Sequence, residues 1–286
     1  ALRRRPRHHP GNDGRGRGAE FVCAVCGVIG NVRDPAECDI RKSGRLTMTT
    51  LTLSLHRCAR QIKRLGRLVT GHDAIYRYDA KPRKLSLGTI YGGWVIAPDG
   101  LNANSVMYSF GVGNDISFDL AAIEKFGITV HGFDPSPEAI RWISEKTDLP
   151  ARYIFHPYGL GPEDGDMEFY SPTTGGMYSL HEGHRWVGKT KTSLAVRSFP
   201  SILSSLGTPY VDVLKMDIEG GEYLQIDTLI ENRSSIGQLL IEFHHRIGVA
   251  PLKETVNSVN RLRAAGFHLF HVSGTSSEFS FLRDTP

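Results

Sequence analysis

Between positions 215 and 222 the chain places one lysine and three carboxylates, Lys215, Asp217, Glu219 and Glu222, at the end of an apolar run, and a second apolar run ends in Glu242, His244 and His245. Carboxylates and a histidine gathered at two strand ends can hold an oxygen nucleophile and take its proton. A base so positioned is worth about 10² to 10⁴ in rate. Asp217, Glu219 and His244 are the candidates for positioning and for the base. The same groups admit other readings. Asp217, Glu242 and His244 could hold a divalent cation, although no metal is expected as the primary reading. Lys215 could pair with a carboxylate, Glu222 could open a helix whose dipole favours negative charge, and His244 could be structural. Strand alternation puts Lys215, Asp217 and Glu219 on one side and Met216 and Ile218 on the other.

A second constellation lies upstream. Val106 to Phe110 reads as a strand and runs into Gly111-Val112-Gly113-Asn114-Asp115, followed by a helix. Glycines there let a ligand approach the backbone at the carboxyl ends of the strands, where open α/β sheets bind ligands. Asp134 closes the next strand, at an offset that suits the two hydroxyls of an adenosine ribose, or else it caps the following helix. Strand, Gly-x-Gly, helix, strand and acid together predict a nucleoside cofactor. A nicotinamide dinucleotide fits poorly. Ile116 stands where the third glycine of G-x-G-x-x-G belongs, and no Tyr-x-x-x-Lys pair occurs. Gly183 to Thr190 matches a phosphate-binding G-x-x-x-x-G-K-[ST] pattern, but the following Lys191 to Ser198 is strand-like and ends before Pro200. No helix amino terminus is therefore expected to face that loop.

These residues need a scaffold, and the pattern from Ser105 onward supplies one. Strands are expected at Val106–Phe110, Ile128–Phe133, Arg152–Phe155, Val211–Met216 and Gly237–Phe243, alternating with helical segments. That order predicts an α/β, doubly wound, mostly parallel sheet. A helix over Leu252 to Ala265, a strand at Phe267–Val272, a short polar loop and a last strand at Glu278–Leu282 imply a closing antiparallel pair, because a parallel return needs a dozen or more residues. Ser171 to Ser193, rich in Gly, Ser, Thr and His, reads as a lid over the ligand edge.

The segments Ser109-Phe110-Gly111-Val112-Gly113, Phe133-Asp134-Pro135, Tyr158-Gly159-Leu160-Gly161, Gly176-Met177-Tyr178-Ser179-Leu180, Val211 to Glu222 and Leu240-Ile241-Glu242-Phe243-His244 resemble the FkbM-type family of S-adenosylmethionine-dependent methyltransferases. The Tyr108-Ser109-Phe110-Gly111 variant is similar to the branch containing methyltransferase-like proteins. The resemblance spans about Asn104 to Leu282 and is most specific at Lys-x-Asp-x-Glu-Gly-x-Glu. It implies a class I methyltransferase fold with a carboxyl-terminal antiparallel strand. It also implies S-adenosyl-L-methionine as cofactor and transfer to a hydroxyl of a sugar, glycolipid or other small metabolite. A protein or nucleic-acid acceptor, or a non-catalytic binding module, is the alternative. Ser109, Gly111, Val112, Gly113, Asp115, Asp134, Pro135, Tyr158 and Gly159 are the expected cofactor contacts. Ser109 departs from the family's usual Asp, and Asp115 is expected to replace that acid in part.

The rest of the chain sets limits. No apolar run approaches the ~18 to 20 residues that a spanning helix needs, which excludes an integral membrane helix. Residues 1–72 hold 15 Lys+Arg against 5 Asp+Glu, and the remainder 19 against 25, so the basic character belongs to the leader. Residues 1–47 read as a disordered basic leader; with the first methionine at Met48, they also suit a misassigned or incomplete start. Residues 48–72 form a basic amphipathic helix, 73–103 an extension, and 104–286 the catalytic domain. Leu51, Leu55, Cys58, Ile62, Leu65 and Val69 make its apolar stripe, which either packs on the body or touches an anionic membrane surface through residues 51–69. No nucleic-acid partner is expected. Cys23, Cys26, Cys38 and Cys58 all precede the body, which leaves it without a disulfide and points to the cytoplasm.

Overall fold

A computed structural model of the chain describes residues 66–173 and 177–283. The four cysteines, residues 1–65 of the expected leader and amphipathic helix, and Gly176 lie outside the described residues; residues 66–69, at the carboxyl end of that helix, are helical. Among the described residues no helix is long and apolar enough to cross a membrane.

The central sheet has seven strands: β3 (Val106–Phe110), β4 (Thr129–Phe133), β5 (Tyr153–His156), β9 (Val211–Met216), β10 (Ile236–Glu242), β11 (Phe267–Val272) and β12 (Glu278–Arg283). Their order is β11-β12-β10-β9-β3-β4-β5. Pairing is parallel from β10 through β9, β3 and β4 to β5, and β12 runs antiparallel to both β10 and β11. This is the class I methyltransferase topology, with its one reversed strand, and it is the fold expected from the sequence. Strands β3, β9 and β10 are buried nearly throughout because helices cover both faces. Helices α1 (Ser117–Phe126) and α2 (Pro137–Ser144) follow β3 and β4, while α4 (Glu222–Glu231) and α5 (Leu252–Ala264) follow β9 and β10. Side chains alternate between two cores. Tyr108, Phe110, Leu214 and Met216 pack with Phe199, Ile226 and Phe243 on one face, and Met107 and Val213 pack with Trp94, Phe118 and Ile128 on the other.

The sequence pattern misses one layer. Between β5 and β9 the chain builds a three-stranded sheet of β6 (Gly159–Gly161), β7 (Gly165–Pro172) and β8 (Val187–Ser198), in the order β6-β8-β7, followed by α3 (Phe199–Leu206). Much of the expected lid is therefore paired β-structure. Pro200, expected to stop a strand, stands in the first turn of α3, where its missing N–H costs nothing, and Ser198 caps that helix by accepting from Ser201 N. Gly188, Lys189 and Thr190 lie inside β8, so the phosphate-loop geometry is not formed. The extension contributes a β-ribbon, β1 (Leu85–Leu87) against β2 (Trp94–Ile96), whose connecting loop reaches the carboxyl edge of the central sheet.

Candidate active site

The parallel strands all end on one side, and a cavity of about 1150 Å³ opens there. Its first wall is the turn after β3. Gly111 has φ 81°, and a Cβ on it would stand 1.6 Å from the carbonyl oxygen of Asp217. Only glycine lets the β3 turn lie this close to the end of β9. The buried Lys215 fixes the same turn by donating from Nζ to the carbonyls of Gly111 at 2.6 Å and Phe110 at 3.3 Å. Its ammonium is thus held by backbone dipoles, and the Asp217 carboxylate is 3.9 Å away. Gly113 N donates to Asp134 Oδ2 at 2.8 Å, and Asp134 Oδ1 accepts from Ser136 N at 2.8 Å and Ser136 Oγ at 2.6 Å. Asp134 therefore joins the glycine turn to the start of α2 and still faces the cavity. Asp115 accepts from Ser117 N and from Thr89 Oγ1. Burial works against its charge, but those hydrogen bonds and the nearby Lys215 hold its carboxyl below the ordinary range.

The second wall carries the acids. Asp217, Glu219, Glu242 and His244 all line the cavity. A chain of contacts runs from His184 Nε2 to Glu219 Oε2 at 2.9 Å, from Glu219 Oε2 to His244 Nε2 at 3.3 Å, and from His244 Nδ1 to Glu222 Oε1 at 2.8 Å. Asp217 Oδ1 lies 3.6 Å from His244 Nε2. Glu222 opens α4 and also accepts from Ile218 N at 3.0 Å, so one buried carboxylate braces both the β9 turn and the histidine. Burial alone would lower the pKa of His244, but the charges of Glu222, Glu219 and Asp217 and the Glu222 hydrogen bond raise it well above the usual value. Burial and the charge of Glu219 push Asp217 up to about 6 against the opposing Lys215, and burial and the charge of Asp217 push Glu242 up to about 8. Glu219 moves the other way. Burial opposes its charge, yet the His184 hydrogen bond and the charges of His244, His184 and Lys215 outweigh it.

Strand alternation ends at Met216, and Glu219 reaches the cluster differently from the way the sequence suggests. Its φ is 53°, a left-handed conformation that a non-glycine residue holds only when its surroundings enforce it. The surroundings are the segment before β8: Ser179 Oγ donates to the carbonyl of Glu219 at 2.6 Å, and His184 grips its carboxylate. That segment lies against the loop after β10 through a glycine pair. A Cβ on Gly248, at φ 85°, would come within 2.0 Å of the Gly183 carbonyl oxygen.

All the expected acceptor-side residues thus share one wall, and Gly111, Val112, Gly113, Asp115, Asp134, Pro135 and Gly159 share the other. Two expected contacts do not reach the cavity. Ser109 is buried within β3, and Tyr158 packs on Phe133 and His156 with the Arg197 guanidinium 4.5 Å from its ring. Ile90 and Tyr91 on the β1–β2 loop, which the sequence pattern does not single out, do reach it, and the buried His184 touches the acid wall through Glu219 without lining the cavity. Thr89 ties that loop to Asp115 and Ser117, and the Tyr91 phenol is held above its usual pKa by burial and then by the charges of Asp217, Glu219, Glu242 and Asp115. An apolar pair between Gly88 and Gly92-Gly93 was the available signal.

A family model, Methyltransferase FkbM domain, matches residues 91–269. The Homo sapiens protein named Probable methyltransferase-like protein 24 is 27% identical over 145 residues, covering 50% of this chain and 33% of that protein. Its Rattus norvegicus counterpart is 26% identical over 175 residues, covering 58% and 42%. The chain thus spans about a third to two fifths of the length of these relatives. Among solved structures, the Methanococcus jannaschii fibrillarin pre-rRNA processing protein aligns at a TM-score of 0.39 with 13% identity, covering 74% of this chain and 87% of that one. The N-terminal domain of human METTL16 aligns at 0.34 with 12% identity, covering 63% and 61%.

Proposed function

Because this chain belongs to the FkbM family of S-adenosylmethionine-dependent methyltransferases, we propose that it transfers a methyl group to a hydroxyl oxygen of a sugar, glycolipid or other small metabolite. The residues expected to hold the donor support this reading. The glycine turn brings bare backbone to the cavity at Gly111 and Gly113, Asp134 supplies a carboxylate beside it, and the cavity has room for a cofactor and a small acceptor together. When bound, S-adenosylmethionine supplies an electrophilic methyl group on a sulfonium.

The protein's own share is alignment and proton removal. Of the two, alignment lowers the barrier more, by up to about 7 to 11 kcal/mol. Asp217 and Glu219 present carboxylate oxygens to the cavity, and His244, held by Glu222, fixes where they stand. The hydroxyl proton goes to one of Asp217, Glu219 and His244, the groups this wall holds within reach of one another. The observation that carries the reading is that the acid wall and the glycine turn meet in one cavity, joined by Lys215 and by the Gly111–Asp217 approach. Phosphate-rich acceptors suit that wall poorly, because Glu219, whose neighbours favour its charged form, would repel them. The test is transfer of labelled methyl to panels of glycosides, glycolipids, protein and RNA. The reading expects label in the first two, lost in Asp217→Asn; label confined to protein or RNA would replace it.

A further inference from the structure

Met216 and Ile241 are register partners on the adjacent parallel strands β9 and β10, so Asp217 and Glu242 are the next pair, side by side at the carboxyl edge. His244 follows two residues on, and one ligand atom from each of Asp217, Glu242 and His244 lies within 4.8 Å of the others. We propose that these three residues form a binding site for a hard divalent cation of the magnesium or manganese kind. Donors at about 2.1 to 2.3 Å from one ion are at most about 4.2 to 4.6 Å apart, so a small closure completes the set.

The groups around the three donors favour the same occupant. Among the described residues, no hydrogen bond reaches the Asp217 or Glu242 carboxylate, although both face the cavity. Lys215, the nearest fixed cation, spends its ammonium on the carbonyls of Phe110 and Gly111. His244 is held from behind. Its Nδ1 bonds the fully buried Glu222, which leaves Nε2 facing Glu219 at 3.3 Å and Asp217 at 3.6 Å, and a carboxylate braced against the far nitrogen is how proteins orient a metal-binding imidazole. Two carboxylates with one imidazole suit magnesium or manganese better than a soft ion, since no sulfur donor is present in the set. The remaining coordination positions face the cavity, where an acceptor oxygen could bind and lose its proton more readily. That use rests on the hydroxyl-acceptor reading, whereas the binding site itself does not.

The test is titration of the full chain with Mn²⁺, without cofactor, followed by loss of the free-ion electron paramagnetic resonance signal. Calorimetry with S-adenosylhomocysteine is run on the same preparations. One saturable Mn²⁺ per chain is expected, displaced by Mg²⁺ and weakened more than about tenfold in both Glu242→Gln and Asp217→Asn. These near-isosteric variants are checked by thermal unfolding, and Glu242→Gln is expected to retain S-adenosylhomocysteine binding. Mn²⁺ left free by the wild type, or bound equally by both folded variants, would overturn the site. Failure of S-adenosylhomocysteine to bind would count against the cofactor reading alone, and Mn²⁺ binding lost in the variants would still support the cation site.

Discussion

Replacing Gly111 by alanine tests the join between the two walls. The new Cβ would stand 1.6 Å from the Asp217 carbonyl oxygen, so the end of β9 and the turn after β3 must separate by about 2 Å to reach an ordinary contact. Holding alanine at φ 81° costs about 1 to 2 kcal/mol. The separation also loosens the bond from Asp217 N to the Phe110 carbonyl at 3.1 Å and from Lys215 to the Gly111 carbonyl, at about 1 kcal/mol or more each. The sum is about 3 to 5 kcal/mol, or a fall in melting temperature of roughly 10 °C for a domain of this size. Gly113 is the control. A Cβ there meets nothing within 4 Å, so Gly113→Ala should cost about 1 kcal/mol in stability while its methyl intrudes on the cavity wall. Thermal unfolding and S-adenosylhomocysteine calorimetry on both variants are the assay. Gly111→Ala should lose both stability and affinity, and Gly113→Ala chiefly affinity. A Gly111→Ala protein with unchanged melting and unchanged affinity would refute the reasoning.

Other outcomes follow from the same structure. Asp119 is buried, and burial raises its pKa from 3.8 to about 6 against the opposing pull of Lys215 and Ser109. A carboxyl whose folded pKa is raised binds its proton more tightly when folded. Its contribution to stability should therefore fall as pH rises from about 4 to about 6, by about 3 kcal/mol, and denaturant titrations of wild type and Asp119→Asn should differ in slope over that window by about that amount. His184→Ala leaves Glu219 without its shortest partner, so limited proteolysis of the segment before β8 should quicken and turnover should fall, with S-adenosylhomocysteine affinity little changed. Equal proteolysis rates would refute the anchoring role. Lys189, inside β8, should be dispensable for any nucleotide affinity; magnesium-dependent ATP binding abolished by Lys189→Ala would contradict the strand assignment.

What the sequence made legible follows periodicity and local chemistry. Strands such as Val106–Phe110 and Val211–Met216 are buried on both faces and read as continuous apolar runs, and Ser136-Pro137-Glu138 announces its helix by cap and proline. The closing antiparallel pair follows from a loop too short for a crossover. Of the sheet of β6, β7 and β8 only Lys191 to Ser198 reads as strand-like; β6 is a three-residue Gly-Leu-Gly strand, β7 is largely exposed and polar so that its alternation is weak, and Pro200 looks like a stop when it begins a helix. In the site, the strand-end acids and the glycine turn were legible because their spacing is local. His184, Tyr91 and the strain at Glu219 were not, since each depends on packing between segments far apart in the chain. Ser109 and Tyr158 were assigned by position in a motif, and burial decides where their side chains go.

The most direct test of the cofactor corner is calorimetric titration of the full chain with S-adenosylhomocysteine, compared with NAD and magnesium-ATP, in the wild type and in Asp134→Asn. One molecule of S-adenosylhomocysteine should bind at micromolar levels, with neither nucleotide competing. The substitution should weaken it by about 10- to 100-fold, the loss of about 1.5 to 3 kcal/mol expected when a charge-assisted bond is removed. A wild-type protein that ignores S-adenosylhomocysteine, or binds NAD in its place, would contradict the account.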